Sequence, residues 1–254
     1  MTKSESAAGV QSVERALVIL DILARSGEAG VTTIAQELGV HKSTAQRLVS
    51  TLEQGGLVEQ TTDRGKYRLG VGVLRLAGAT AARLDVVAEA RPICRRLAAD
   101  TGETVNVAVL SEGAALYVDQ IAGSSTLQPH NWVGQRIPLH ATSNGKILLS
   151  ELADDDVERT VRDLRAYTPF TLTDRGALRD ELAAVRRDGW ASAVDELEVG
   201  LTAVGAPVRN AHGDVVASMS VSGPTFRLDA ARVDEVRPLL LAAAAEASHR
   251  LGWG

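Results

Sequence analysis

A single cysteine in 254 residues leaves no partner for an internal disulfide, so packing must hold the fold. That usage fits a reducing, cytoplasmic setting. Cys94 lies in the helical pattern ICRRLAAD and reads as a packed thiol, not a nucleophile. The longest apolar run, Leu239 to Ala245, is far too short to cross a bilayer, so no membrane partner is expected. MTKSESAAG at the start has no apolar signal region, and residues 1–10 read as a disordered arm. The histidines (His41, His130, His140, His212, His249) are scattered without close ligand pairs, so no metal site is expected. A Gly-x-Ser-x-Gly elbow is missing. Gly145-Lys146 fails as a phosphate loop, because His140 stands at the required upstream glycine and Ile147 replaces Ser/Thr. No catalytic residue and no cofactor are therefore assigned.

Charge of one sign is also lacking. The chain has 27 basic and 32 acidic residues, hardly the balance of a nucleic-acid binder as a whole. Residues 1–70 are neutral, with eight of each sign, so the negative excess lies entirely beyond them. Within 41–68 the balance is five basic to three acidic, a mild local patch.

What is present gathers first between Thr32 and Leu69. The segment VTTIAQELGVHKSTAQRLVSTLEQGGLVEQTTDRGKYRLG reads as a helix, a tight turn, a second helix and a hairpin. The first helix is expected to start at Thr32 or Thr33, with Gln36 completing a capping box on Thr33. Ile34, Ala35 and Leu38 make its apolar stripe; Gly39 ends it and Val40 plugs the turn. The second helix runs from about His41 to Gln54 and buries Ala45, Leu48, Val49 and Leu52. Its other face presents Lys42, Ser43, Gln46, Arg47 and Ser50, which suit phosphates and base edges.

Gly55-Gly56 stops that helix. Residues 57–60 and 66–69 then read as strands around Asp63-Arg64-Gly65, a wing that brings Arg64 and Lys66 to a phosphate backbone or minor groove. A preceding helix, about Ser12 to Arg25, is apolar at Val13, Ala16, Leu17, Leu20, Leu23 and Ala24. The expected partner is double-stranded DNA, met by Thr33, Lys42, Ser43, Thr44, Gln46, Arg47, Arg64 and Lys66. A neutral module with few phosphate contacts binds weakly alone, so two or more copies are expected.

The winged helix-turn-helix is assigned to 11–69 and a linking helix to 70–85. Residues 86–254 form a second domain, opened by a helix that Asp85 can cap and that Pro92 should bend or delay. Strands at 104–110 and 114–121 join through Ser111-Glu112-Gly113. Charged amphipathic helices are expected over 151–164 and 174–189, the latter between an Asp174 cap and Gly189. Another hairpin pairs 203–209 with 215–222, and a last helix runs from about Asp229 to Leu251. Antiparallel strands with helices packed to one side predict an α+β sensor domain. On its last strand Ser218, Ser220 and Ser222 share one face.

With both halves in view, the chain resembles the IclR family of bacterial transcriptional regulators. The resemblance is carried by SVERALVILDIL, KSTAQRL and the wing ending YRLG. In the second half it rests on RIPLHATSNGKILL (136–149), DELEVGLTAVGAPV (195–208) and SVSGP (220–224). It implies an N-terminal winged helix domain and a GAF/profilin-like α+β effector-binding domain. It also implies a homodimer or dimer of dimers on a palindromic operator, and a small carboxylate effector. The effector cavity implied here takes in Thr142, Ser143 and Asn144, where backbone N–H groups at a helix start suit a carboxylate. Leu201 and Ala203 stand at apolar wall positions, Ile137 with them, and Ser220 and Ser222 at hydroxyl positions. Asn144 stands where many members carry a small apolar residue. Leu127 to Trp132 should form part of a lid, with His130 and Trp132 able to bond and stack on an aromatic acid. Asp195, Glu196 and Glu198 offer a paired-carboxylate pattern, read as structure or effector contact, with Asp195 in the effector set. The rival class is a small-molecule-binding enzyme with an accessory DNA-binding domain.

Overall fold

The computed structural model describes residues 10–61, 65–81, 85–125 and 131–254, in two compact units that meet in sequence between Arg83 and Leu84. In the first, α1 (Gln11–Ser26) buries Ile19, Ile22 and Leu23. Of the apolar face expected from the sequence, Leu23 is buried and Ala16 and Leu20 are half-buried, but Val13, Leu17 and Ala24 are exposed. The helix carries two adjacent apolar stripes, and the core takes the one with the β-branched Ile19 and Ile22.

The chain then enters β1 (Ala29–Gly30), a strand too short to leave a sequence signal. It pairs with β3 (Lys66–Leu69), which also pairs with β2 (Val58–Gln60), both antiparallel. Gly30 closes β1 and is at once the N-cap of α2 (Val31–Glu37), with no side-chain cap. The expected start at Thr32 or Thr33 and the Thr33–Gln36 capping box are therefore corrected: the strand itself delivers the chain into the helix. Gly39 takes a φ of 63° and Val40 N–H returns to Ala35 O at 3.0 Å, which turns the chain into α3 (Lys42–Gln54). His41 caps α3, its Nδ1 accepting from Ser43 N–H at 3.5 Å. Ala45, Val49 and Leu52 are buried with Ile34, Ala35, Val58 and Tyr67. After the wing, α4 (Gly72–Ala81) completes the unit.

The second unit opens on α5 (Asp85–Thr101), which runs through Pro92. Next come β4 (Thr104–Ser111), β5 (Ala114–Ile121), β6 (Arg136–Ile137) and α6 (Ser143–Ser150). They are followed by α7 (Asp154–Thr160), α8 (Arg175–Asp188), β7 (Ala191–Val194), β8 (Leu201–Arg209), β9 (Val215–Pro224) and α9 (Ala230–Arg250). The six-stranded sheet has the order β6-β5-β4-β9-β8-β7, every pairing antiparallel.

Period-two alternation decides which side each residue serves. Val105 and Val107 of β4, Val204, Ala206 and Val208 of β8, and Ala217, Met219 and Val221 of β9 pack with α5 and α9. Cys94 lies in this core, where burial pushes its thiol up to about 12. The opposite faces of β4, β8 and β9 meet α6, which is backed by α8. The expectation of helices on one side only is thus corrected: α5 and α9 cover one sheet face and α6 the other. The expected helix 151–164 also shrinks, to α7. Val161 leaves helical geometry (φ −106°, ψ 81°) and is buried, while Arg175 donates to the carbonyls of Val161 and Arg162 that further helix would have used.

Candidate functional site

On the first unit, α3 shows Lys42, Ser43, Gln46 and Arg47 as exposed side chains, with Thr44 and Ser50 half-buried. The first turn carries no acidic residue, and neither Lys42 nor Arg47 forms an ion pair among the described residues. Their donors are left to water, as a phosphate-facing surface requires. Gln46 is less open than its position in the pattern implied. Its Nε2 donates to the Tyr67 hydroxyl of β3 at 3.3 Å, which ties α3 to the wing. Lys66 is ion-paired with Glu28 at 2.5 Å. Thr33 is exposed on α2. Arg64 lies outside the described residues.

On the second unit an open chamber lies on the α6 side of the sheet. Trp132, Ile137, Thr142, Leu201, Ala203 and Ser222, all expected, line it. Asn106, Tyr117, Ala141, Ala193 and Leu197, which the sequence reading missed, complete the wall. Two of these were legible by alternation: Asn106 shares a β4 face with Thr104 and Ala108, opposite Val105 and Val107, and Ala193 alternates on β7. Tyr117 depends on an irregularity in the β4–β5 ladder. Opposite Ala108 it turns to the chamber, whereas Asp119, opposite Val107, meets Arg91 of α5 at 2.7 Å. Trp132 sits 6.2 Å from the Tyr117 ring at 43°. Among the described residues, no charged side chain is on this wall. Leu127 and His130 lie outside the described residues.

The remaining expected residues fall elsewhere. Asn144, wholly buried, donates from Nδ2 to Ser220 Oγ at 3.0 Å and accepts at Oδ1 from Ser218 Oγ at 2.7 Å. Burial pushes the Tyr117 phenol up to about 12, more than the neighbouring Asn144 amide lowers it. Ser143 is buried with its Oγ unpartnered. Its backbone stands so close to Gly205 of β8 that a Cβ there would lie 3.1 Å from it. Neither Ser143, Asn144 nor Ser220 is on the chamber wall. Asp195 holds a turn. Its φ is 58°, and Oδ1 accepts from Gly200 N–H at 2.8 Å and Thr225 Oγ1 at 2.7 Å.

Lys146, passed over with the failed phosphate loop, is a further finding. Its side chain is 2% exposed, and Nζ donates to Glu196 at 2.7 Å, Ser192 O at 2.8 Å and Glu181 at 3.1 Å. It fastens α6 to α8, β7 and the turn that carries Leu197. Burial holds the Glu196 carboxyl above the ordinary carboxylate value, against the pull of Lys146. Gly145 beside it has no alternative, since a Cβ would meet Leu139 O at 2.2 Å.

Comparison with known proteins covers nearly the whole chain. Residues 12–62 match the IclR helix-turn-helix domain and residues 78–249 the domain described as "Bacterial transcriptional regulator IclR C-terminal". The HTH-type transcriptional regulator BhcR of Paracoccus denitrificans is 35% identical over 247 residues, 96% of this chain and 88% of that protein. The transcriptional repressor IclR of Escherichia coli is 32% identical over 248 residues, 96% and 90% of the two chains. Among solved structures, an IclR homolog from Microbacterium hydrocarbonoxydans complexed with 4-hydroxybenzoate superposes with a TM-score of 0.80. It shares 27% identity and covers 95% of this chain and 98% of its own. A helix-turn-helix with open donors on α3, a sensor-like α+β domain with a chamber, and matches across both place this chain in the IclR family of bacterial transcriptional regulators.

Proposed function

We propose that this regulator is a repressor that binds a palindromic operator as a homodimer or dimer of dimers, and that a small organic acid in the chamber changes its hold on DNA. An aromatic carboxylate such as a hydroxybenzoate is the favoured effector. The observation that carries the reading is the chamber wall: aromatic and aliphatic over most of its area, with a few neutral polar groups. The 4-hydroxybenzoate bound by the similar Microbacterium protein supports the same class. Operator contact is assigned to Lys42, Ser43, Thr44, Gln46 and Arg47 on α3, with Thr33 on α2 and Arg64 and Lys66 in the wing. Exposed Val10, Val13 and Leu17 supply an apolar face for a second copy. Effector contact is assigned to the lining residues Trp132, Ile137, Thr142, Leu201, Ala203 and Ser222. Leu127 and His130 are assigned to the lid, and Ser143, Asn144, Ser220 and Asp195 to the supporting layer.

The test is a titration of benzoate, hydroxybenzoates, pyruvate and glyoxylate against the full chain, followed by melting temperature and by retardation of an operator fragment. A binder held at about 100 times its dissociation constant adds roughly 2.7 kcal/mol to the folded state. A carboxylate that raises the melting temperature and changes DNA retardation is the expected result. Melting shifts confined to cations or sugars would remove the carboxylate reading.

A further inference from the structure

Among the described residues, the chamber wall has few unspent hydrogen-bonding valences. Thr142 Oγ1 donates to Pro138 O at 3.0 Å and accepts from Gly145 N–H at 3.1 Å. Asn144 is spent on Ser218 and Ser220. Asn106 differs. It is 1% exposed, and its Nδ2 donates to Ser222 Oγ at 3.0 Å, but its Oδ1 has no partner. A buried amide oxygen left so carries an uncompensated desolvation cost, which a donor supplied from outside the protein removes. Ser222 Oγ already accepts from Asn106, so its own hydrogen remains to be given. Side by side, then, the wall holds one waiting acceptor and one rotatable donor.

From this pair we infer that Asn106 is a specificity-determining residue, selecting effectors that present a neutral hydroxyl or carboxamide to Asn106 and Ser222. Such a group donates to Asn106 Oδ1 and accepts from Ser222 O–H, satisfying both. A carboxylate cannot donate, and would set oxygen against oxygen at Asn106. A hydroxy acid therefore enters with its hydroxyl at β4 and β9 and its carboxylate elsewhere. This inference rests on the chamber being the effector site.

Three probes that share a carboxylate and a ring separate the possibilities: 4-hydroxybenzoate, 4-methoxybenzoate and 4-fluorobenzoate, titrated calorimetrically into the full chain. The wild type should prefer the hydroxy compound by about tenfold, the worth of one hydrogen bond to a buried group. Asn106→Leu should shrink that preference below about threefold by weakening the hydroxy compound alone. Asn106→Asp, which still accepts, should keep it. Cooperative melting is checked first, and Asn106→Ser, which also withdraws the acceptor, takes over if leucine does not fit. Equal binding of all three by the wild type overturns the inference. So does a preference that survives Asn106→Leu and Asn106→Ser. Uniform weakening of all three by those variants means that Nδ2 grips the shared carboxylate, and overturns it too. If the probes bind equally and still alter DNA retardation, the donor rule fails and the chamber reading stands. If none of the three binds, the donor rule and the benzoate reading fall together.

Discussion

Tyr117 carries a measurable signature of the chamber. Its phenol ionises in the unfolded chain near 10 and in the folded chain at about 12, because burial disfavours the phenolate. The raised value means that the group contributes its full stability below pH 10. That contribution is lost as pH climbs from 10 to about 12, a loss of about 3 kcal/mol. Tyr117→Phe should flatten the fall in unfolding free energy over that window. An unchanged slope would mean that the ring is wetter than its surroundings imply. Lys146 makes a second case. Replacing it with methionine leaves the Glu196 carboxylate buried without its cation, a change that typically costs about 3–5 kcal/mol. Chemical denaturation of Lys146→Met against wild type measures it, and a difference under about 1 kcal/mol would show that water reaches Glu196.

Among the elements, α3 spans the residues its pattern foretold and buries Ala45, Val49 and Leu52, with Leu48 only half-buried. Arg47→Ala should weaken operator binding by about 1–3 kcal/mol, the worth of a bidentate base contact, while the effector still binds. Unchanged retardation would dismiss Arg47 as a base reader. Gln46→Ala is a less clean experiment, because it also releases the Tyr67 hydroxyl of the wing. The α3 face was legible since Ala45, Val49 and Leu52 recur at helical spacing. The start of α2 was not, because its cause is a two-residue strand, Ala29–Gly30, paired with Lys66 and Tyr67 nearly forty positions away. Likewise Asp174 and Gly189 announced the ends of α8, whereas the early end of α7 depends on Arg175 reaching back to two carbonyls. Local rules recover what local contacts decide.

For the whole molecule, the two-part division and the antiparallel α+β unit followed from hydrophobic period and turn residues, since those repeat along the chain. The second helical layer did not, because cover for both sheet faces becomes visible only when the strands are set side by side. The site divided along the same line. Trp132, Ile137, Leu201 and Ser222 were reached through motifs, whereas Leu197 and Tyr117 needed the turn at Asp195 and the ladder irregularity to aim them.

The alternation along β9 has a consequence for how this chamber can respond to anything. Ser218, Ser220 and Ser222 face one way, and Ala217, Met219 and Val221 the other, with strands paired on both sides. A slip of one residue against β4 or β8 would thrust three hydroxyls into the layer under α5 and α9, and turn methionine and valine toward α6. No ligand-sized interaction can reward that exchange. The sheet is a fixed ruler on which the polar marks are already cut. Whatever movement a bound molecule provokes must be made by the parts that rest on it.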